Sequence, residues 1–280
     1  MSTESTLSTF VASDGDNVVI QDWPLDSGVA LRGVVILVHG LGEHAGRYDH
    51  VAKLLNAWGF AVRGYDQCGH GESGGARGGM PTDTRLLDDL ADIVDSTRAR
   101  MQKDTPLILL GHSMGGLVVG RFVSLKIRPV DALIMSSPAL DPGLSAFQKF
   151  LVAVLPKIVP DLRVGNGLNA TLISHDPAVV EAYVSDRLVH DRISARLARF
   201  IATAGPQTVA LASQWKVPTL LMYAGEDKLV NPQGSRNFAA AAPKDVVTTV
   251  CFDKLYHEIF NELDASEVFA TLQNWLEKRF

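Results

Sequence analysis

The hydrophobic residues of this chain fall into short, nearly continuous runs, separated by stretches in which apolar positions recur at helical spacing. GVVILVH at Gly33–His39 is typical, because an unbroken apolar and β-branched run predicts a strand buried on both faces. We predict strands at Gly33–His39, Phe60–Tyr65, Leu107–Leu110, Ala132–Met135, Val217–Met222 and Val246–Cys251. Helices are predicted at Tyr48–Trp58, from an N-cap at Thr82 or Asp83 through Met101, from Ser113, near Gln233–Ala241 and at Ala265–Lys278.

This alternation of strands and helices predicts an α/β protein with a mostly parallel, doubly wound sheet. Near the N-terminus, Thr9–Ala12 and Val18–Asp22 alternate apolar and polar residues on either side of Asp14-Gly15-Asp16. That pattern predicts an antiparallel hairpin ahead of the parallel strands.

The alternation fails between Pro138 and about Phe200, where no convincing strand pattern appears. The segment is typical of several short helices, interrupted by residues such as Pro156 and Gly165. We therefore expect residues 1–137 and 201–280 to form the core, and residues 138–200 to form a helical cap inserted into it.

Composition excludes several classes of protein. The chain has 280 residues, is 46% hydrophobic and carries a net charge of −5, so it lacks the basic surface of a nucleic-acid-binding protein. Its two cysteines, Cys68 and Cys251, suggest neither a disulfide framework nor a zinc site. The N-terminal residues lack the pattern of a secretory signal, and no apolar run reaches the roughly 18 residues of a membrane span. We expect a cytoplasmic protein.

One strand-to-helix junction carries candidate chemistry. Leu107–Leu110 leads directly into Gly-His-Ser-Met-Gly, and an apolar helical stretch follows. This matches G-x-S-x-G, in which small residues on both sides let a strained turn hold the serine above the sheet edge. We therefore interpret Ser113 as a nucleophile, at the N-terminus of a helix that favours developing negative charge.

A serine nucleophile needs a base and an acid that orients the base, and on this fold the chain order is serine, acid, histidine. His175 and His190 lie in the expected cap, which leaves His257, in the loop after the last strand, as the candidate base. Asp227 follows a strand end and is the preferred acid. Asp141 is an alternative, and Glu226 is adjacent to Asp227.

An acyl-transfer site also needs donors for an oxyanion. The strand Gly33–His39 runs into a tight turn at Gly40-Leu41-Gly42, which can aim the Leu41 amide inward. The Met114 amide, directly after the serine, is its expected partner. Neither donor requires a metal or an organic cofactor, and we expect none.

The same turn supports a rival interpretation. Gly40–Ala45 matches G-x-G-x-x-A after a strand, and Asp66 follows about 20 residues later, as in dinucleotide-binding proteins. An NAD-dependent oxidoreductase would explain this match but not Ser113, Asp227 and His257. A binding protein that uses a hydrolase fold without turnover is a third hypothesis.

Five strings carry a family resemblance: VHGLGEHAGRY (38–48), YDQCGHGES (65–73), LLGHSMGG (109–116), AGEDKLVN (224–231) and YHEIFNE (256–262). Together they resemble the monoacylglycerol lipases and related lysophospholipases of the α/β-hydrolase superfamily. The likeness runs from about Arg32 to the C-terminus. It includes VEAYVSDRLV (180–189), which is similar to the family's Tyr-x-x-Asp-Pro-Leu except that Arg187 replaces the proline.

The resemblance implies an α/β-hydrolase fold with Ser113, Asp227 and His257 as triad and Leu41 and Met114 as oxyanion donors. It also implies that Glu43, Arg47 and Tyr183 line a polar region near the alcohol part of the substrate, although Glu43 and Arg47 can equally form a structural salt bridge.

The implied reaction is hydrolysis of a monoacylglycerol-like lipid ester through an acyl-enzyme. A serine nucleophile also fits a peptidase, an amidase or a thioesterase. Phe147–Pro160 (FQKFLVAVLPKIVP) is rich in apolar residues, so the cap either packs on the core or contacts a membrane surface peripherally and transiently. No feature of the sequence indicates the oligomeric state.

Overall fold

The computed structural model describes residues 4–141 and 143–280, without the side chains of residues 146, 147 and 149. Eight of its strands form one sheet. The strands are β1 (Thr6–Val11), β2 (Asn17–Trp23), β3 (Gly33–Val38), β4 (Phe60–Tyr65), β5 (Leu107–His112), β6 (Ala132–Ser136), β9 (Thr219–Ala224) and β10 (Val247–Phe252). Their order is β1-β2-β4-β3-β5-β6-β9-β10. From β4 to β10 all neighbours are parallel, whereas β2 pairs antiparallel with β1 and with β4. The predicted doubly wound sheet and N-terminal hairpin are therefore confirmed.

Eight α-helices within the described ranges connect or cover these strands. They are α1 (Asp49–Ala57), α2 (Arg85–Arg98), α3 (Met114–Ser124), α4 (Ala146–Ile158), α5 (Pro177–Ser185), α6 (Ala195–Ala210), α7 (Gln233–Ala241) and α8 (Ser266–Glu277). The sheet separates two hydrophobic clusters: α1 and α8 contribute to one, and α2, α3, α6 and α7 to the other. The continuous apolar run of β3 follows from this, because Ile36 faces one cluster and Leu37 the other.

We call the segment between β6 and β9, residues 137–218, the inserted segment. It differs from the prediction in several respects. It contains two three-residue strands, β7 (Arg163–Gly165) and β8 (Arg192–Ser194), which pair antiparallel. Neither strand was predicted, because three residues are too few to display an alternating pattern. Gly165, expected to break a helix, is the last residue of β7.

Pro156 also does not break a helix. It lies inside α4, which begins with a capping box between Ser145 and Gln148 and continues to Ile158. The proline has no N–H to donate to the Val152 carbonyl oxygen, so the helix lacks one hydrogen bond there but still continues for two residues beyond it. The helix α6 is continuous from Ala195 to Ala210, so the predicted boundary between residues 200 and 201 falls inside one element.

The turn between β5 and α3 is held by close packing of two backbones. Ser113 adopts φ 55° and ψ −118°, a conformation that side-chain-bearing residues rarely occupy. A Cβ atom at Gly115 would lie 2.0 Å from the Val38 carbonyl oxygen, and one at Gly111 would lie 2.3 Å from the Gly115 carbonyl oxygen. The two glycines therefore let α3 begin directly beside β3, with Ser113 at the carboxyl edge of the sheet.

We expect Gly115→Ala to lower the free energy of unfolding by about 1–3 kcal/mol, because the added methyl group forces α3 away from β3. Urea denaturation followed by circular dichroism measures this change. Gly165→Ala is the matched control, since a Cβ atom there meets only Asp191 Oδ2, at an ordinary 3.7 Å. Equal stability of the two variants would contradict the packing argument.

Candidate active site

Ser113 lies at the wall of a cavity of about 230 Å³ at the carboxyl edge of the sheet. Its backbone N–H donates to the Ser136 carbonyl oxygen at 2.9 Å, and its own carbonyl oxygen accepts from the Leu117 and Ala139 amides, both at 3.0 Å. These bonds fix the strained turn to β6 and to α3. The hydroxyl-bearing residue is therefore held rigidly and faces an open space.

His257 lines the same cavity and lies in the loop after β10. Its Nδ1 lies 2.6 Å from Asp227 Oδ2, in the loop after β9. The other carboxylate oxygen, Oδ1, accepts from the Leu229 and Val230 amides at 2.9 Å. Because Nδ1 is engaged by Asp227, the ring presents Nε2 as its remaining basic nitrogen.

The electrostatics of this pair favour the ionised carboxylate and the protonated ring. Burial opposes ionisation of Asp227, but His257 and the two backbone amides outweigh it and lower the pKa of the carboxyl. Burial likewise opposes protonation of His257, but Asp227, followed by Glu258 and Glu43, raises the pKa of the imidazole above its ordinary 6.5. An imidazole in this setting is a stronger base than a free one.

The other acids and histidines considered from the sequence are engaged elsewhere. Asp141 accepts from the Asn231 side chain at 2.8 Å and from the Gly143 amide, while Glu226 is exposed. His175 pairs with Glu262 at 3.0 Å, and His190 bonds the Gly69 carbonyl oxygen at 3.1 Å. Of the candidate acids, the structure brings Asp227 to His257.

The turn after β3 contacts Ser113. A Cβ atom at Gly40 would lie 3.2 Å from Ser113 Cβ. His39 fixes this turn: its Nε2 accepts from the Gln67 amide at 2.9 Å, so its Nδ1 carries the proton and donates to the Gly40 carbonyl oxygen at 2.7 Å. The Leu41 and Met114 amides donate to no partner among the described residues. Two unpaired N–H donors beside a serine are what an oxyanion requires.

Of the predicted polar group, Glu43 and Tyr183 line the cavity, whereas Arg47 does not line it and contacts both of them. The Arg47 guanidinium bonds Glu43 and lies 4.7 Å from the centre of the Tyr183 ring. Burial raises the pKa of Glu43, but Arg47, with smaller contributions from His112 and His39, lowers it to about 2.

Sequence reasoning missed Glu258, whose two oxygens each accept from Arg47 at 2.8 Å. It directly follows the candidate base within YHEIFNE, and that position was the available signal.

His112, between Gly111 and Ser113, was also missed. Its ring centre lies 4.8 Å from that of His257, and its Nδ1 lies 3.0 Å from Ser136 Oγ. Burial, followed by the charge of His257, lowers the pKa of His112 to about 4. The residue is therefore neutral near pH 7 and does not repel a protonated His257.

A second, mainly apolar cavity of about 200 Å³ begins at Ser113 and extends beneath the inserted segment. It shares Ala198, Leu144, Val152 and Ile193 with a third cavity of about 200 Å³ beside α4. The first cavity carries the polar side chains of Glu43, Tyr183 and Glu258 beside apolar ones such as Leu168 and Ile173, and we call it the polar arm. The second and third cavities form an apolar arm that leads to α4. Ser113 lines both arms.

The residues that suggested a dinucleotide site have other partners. The Gly40 amide donates to Glu43 Oε1 at 2.5 Å, so a carboxylate occupies the turn where a pyrophosphate would bind. Asp66 accepts from the Ala45 and Glu72 amides at 2.9 and 2.8 Å and is buried. Within the described ranges, no three His, Cys, Asp or Glu residues are grouped to hold a metal ion.

Comparison with known proteins places the chain in a family. Residues 30–264 match the family model described as serine aminopeptidase, S33. The chain is 34% identical over 271 residues to a monoacylglycerol lipase of Mycolicibacterium smegmatis, covering 96% of this chain and 95% of that protein. It is also 32% identical over 280 residues to an uncharacterized abhydrolase domain-containing protein of Dictyostelium discoideum. The match covers 98% of this chain but 29% of that longer protein.

A solved structure is similar to this chain over nearly its whole length. The crystal structure of the Paleococcus ferrophilus monoacylglycerol lipase matches 99% of this chain and 100% of its own, with a TM-score of 0.82 and 33% identity. The resemblance inferred from the five sequence strings is confirmed, and so is the predicted fold class. The chain therefore belongs to the serine aminopeptidase S33 family and is a monoacylglycerol lipase-like α/β-hydrolase.

Proposed function

We propose that this protein is a serine esterase that hydrolyses monoacylglycerol-like lipid esters to a fatty acid and an alcohol. The observation that carries the proposal is the position of Ser113 at the junction of a polar and an apolar arm. An ester with a long acyl chain and a small hydroxylated alcohol has the same division of polarity. The names of the similar proteins support this substrate class.

In the proposed mechanism His257 Nε2 takes the proton of Ser113, whose oxygen attacks the acyl carbon. Asp227 orients the imidazole and stabilises its protonated form. The developing oxyanion accepts hydrogen bonds from the Leu41 and Met114 amides. The protonated His257 then gives its proton to the leaving alcohol oxygen, and water, activated by the same imidazole, releases the fatty acid from the acyl-enzyme.

The two arms divide the substrate. We place the alcohol in the polar arm, beside Glu43 and Tyr183, and the acyl chain in the apolar arm, between the core and α6. Residues 138–200 supply a wall of each arm, and we propose that they act as the cap that was expected from the sequence. This assignment makes the cap the part of the chain that selects the acyl group.

An amidase or peptidase is the second candidate, because the family description names an aminopeptidase. Amide and ester hydrolysis share the acyl-enzyme, so the triad does not separate them. The apolar arm favours the lipid ester, since its two connected cavities carry few polar side chains to receive a peptide. Substrate tests decide between the two.

We expect Ser113→Ala to lower the rate of fatty-acid release from monoacylglycerols by roughly 10⁴-fold or more, because no nucleophile remains. Ser124→Ala, at the far end of α3, is the control and should keep wild-type activity. Release of free fatty acid and thermal unfolding are measured in parallel. A Ser113→Ala protein that retains substantial activity would sink the assignment. Wild-type cleavage of acyl amides without cleavage of monoacylglycerols would establish the amidase instead.

We expect Ala198→Leu to shift preference toward shorter acyl chains, because the larger side chain narrows both apolar cavities. Displacing one or two methylenes reduces kcat/KM for the longest substrates roughly tenfold, at about 0.8 kcal/mol per buried methylene. Kinetics on a graded series of monoacylglycerols measure the shift. Ala210→Leu is the control, since Ala210 is exposed at the end of α6. A uniform change at all chain lengths would contradict the acyl-arm assignment.

We also propose that the inserted segment contacts membrane surfaces peripherally. Several of its large apolar side chains are exposed, among them Phe150 at 61%, Ile158 at 72% and Val184 at 69%. Leu162 and Val164 are exposed as well and also line the cavity beside α4, so the apolar arm opens among these residues. The side chain of Phe147, part of the stretch identified from the sequence, lies outside the described structure. No helix in the described part of the chain is long and apolar enough to cross a membrane.

We expect the double variant Phe150→Ser, Ile158→Ser to bind phosphatidylcholine vesicles at least about tenfold more weakly, because two large apolar groups no longer enter the interface. Co-sedimentation with vesicles measures the binding. Leu263→Ser is the matched control, being 70% exposed but outside the inserted segment. Equal losses in the two proteins would argue against a specific membrane face.

A further inference from the structure

Arg47 joins two loops that carry different parts of the proposed machinery. Its guanidinium donates to Glu43, in the turn after β3, and to both carboxylate oxygens of Glu258 (2.8 Å to each), in the loop after β10. The two loops are 211 residues apart in sequence at this contact. All three side chains are at most 10% exposed, so the bridge is shielded from water.

Each carboxylate that Arg47 contacts belongs to a segment that carries a proposed catalytic group. Glu43 Oε1 accepts from the Gly40 amide at 2.5 Å and from the Tyr48 hydroxyl at 2.6 Å, which fixes the turn that carries the Leu41 amide. Glu258 directly follows His257, and its backbone N–H donates to the Ile173 carbonyl oxygen at 2.8 Å. A shift of Arg47 would therefore change the spacing between the oxyanion donor and the base.

We propose that Arg47 and Glu258 are positioning residues: their two-point contact sets the loop of His257 against the turn of Leu41, and the Glu258 carboxylate stabilises the protonated imidazole. This inference rests on the proposed serine-esterase function. It assigns Arg47 to the geometry of the site rather than to binding of the alcohol. A guanidinium paired with two carboxylates offers little charge to a neutral hydroxyl group.

The charges around the imidazole support the second part of the proposal. Two carboxylates and one guanidinium leave one net negative charge on this side of the ring. Burial lowers the pKa of His257, and Asp227 raises it most. Glu258 and Glu43 raise it further, by smaller amounts. The ionisable groups facing His257 are Asp227 on the β9 loop, Glu43 on the β3 turn, His112 at the end of β5, and Glu258 beside it with its partner Arg47.

The test measures the rate at which a fluorophosphonate labels Ser113 as a function of pH. Labelling needs a neutral His257, so the rate falls as the pH drops through the pKa of the imidazole. In Glu258→Gln the negative charge is lost and that pKa is lower. The acid limb therefore moves to lower pH, and kcat on a small activated ester falls about tenfold or more as the loop loosens.

Two further variants separate charge from position. Arg47→Lys keeps the cation but cannot make a bidentate contact, so we expect a lower kcat with the acid limb close to its wild-type pH. Glu262→Gln removes a buried carboxylate from the same loop, one that holds the Tyr256 amide at 2.7 Å but does not contact Arg47. Its acid limb should stay in place.

An unmoved acid limb in a folded Glu258→Gln protein would overturn the charge part of the proposal. If Glu258→Gln does not fold, the Arg47→Lys result decides: full kcat overturns the positioning part. A wild-type protein that is neither labelled at Ser113 nor active on the activated ester would instead refute the serine-esterase function itself. The two failures are thus distinguishable.

Discussion

The close approach of α3 to the backbone of β3 is the constraint on which the site depends. With Gly115 against the Val38 carbonyl oxygen, the chain has no room for a gradual turn after β5, and Ser113 is forced to φ 55°. A residue in this region costs on the order of 1–3 kcal/mol. The cost is offset locally, because the Ser113 amide and carbonyl groups are bonded to β6, α3 and the segment after β6. The same turn leaves the Met114 amide unpaired at the first position of α3.

Around this turn the buried ionisable groups are held in definite protonation states. His39 must be neutral to accept from the Gln67 amide, and burial lowers the pKa of His112 to about 4. Glu43 stays ionised because Arg47 outweighs its burial. Among these groups, His257 is the imidazole whose pKa is raised, so protonation near neutral pH is concentrated on the ring beside Ser113. In the proposed mechanism, a base with an elevated pKa accepts the serine proton more readily, and the neighbouring groups do not compete for that proton.

The core and the triad candidates could be predicted because they are local or ordered along the chain. Buried parallel strands display continuous apolar runs, and the glycines around Ser113 mark a turn that only small residues permit. The strands β7 and β8 could not be predicted, since they are fixed by contacts with the core: the Ser194 amide donates to the Gly78 carbonyl oxygen at 2.8 Å. Glu258 was missed for a similar reason. Its partner Arg47 is distant in sequence, and no local pattern marks a buried two-point contact.

Arg187 stands where the family's Tyr-x-x-Asp-Pro-Leu pattern has proline, but the structural contacts of this motif are made by the preceding Asp186. Asp186 ends α5, and its carboxylate accepts from His44 Nε2 and from the Leu188 amide, both at 2.8 Å. These bonds attach the helix that carries Tyr183 to the loop after β3. Arg187 is exposed and its backbone amide has no partner in the described structure, so a proline there would remove no hydrogen bond. The aspartate therefore sets the position of α5 over the polar arm, and the arginine leaves that contact intact.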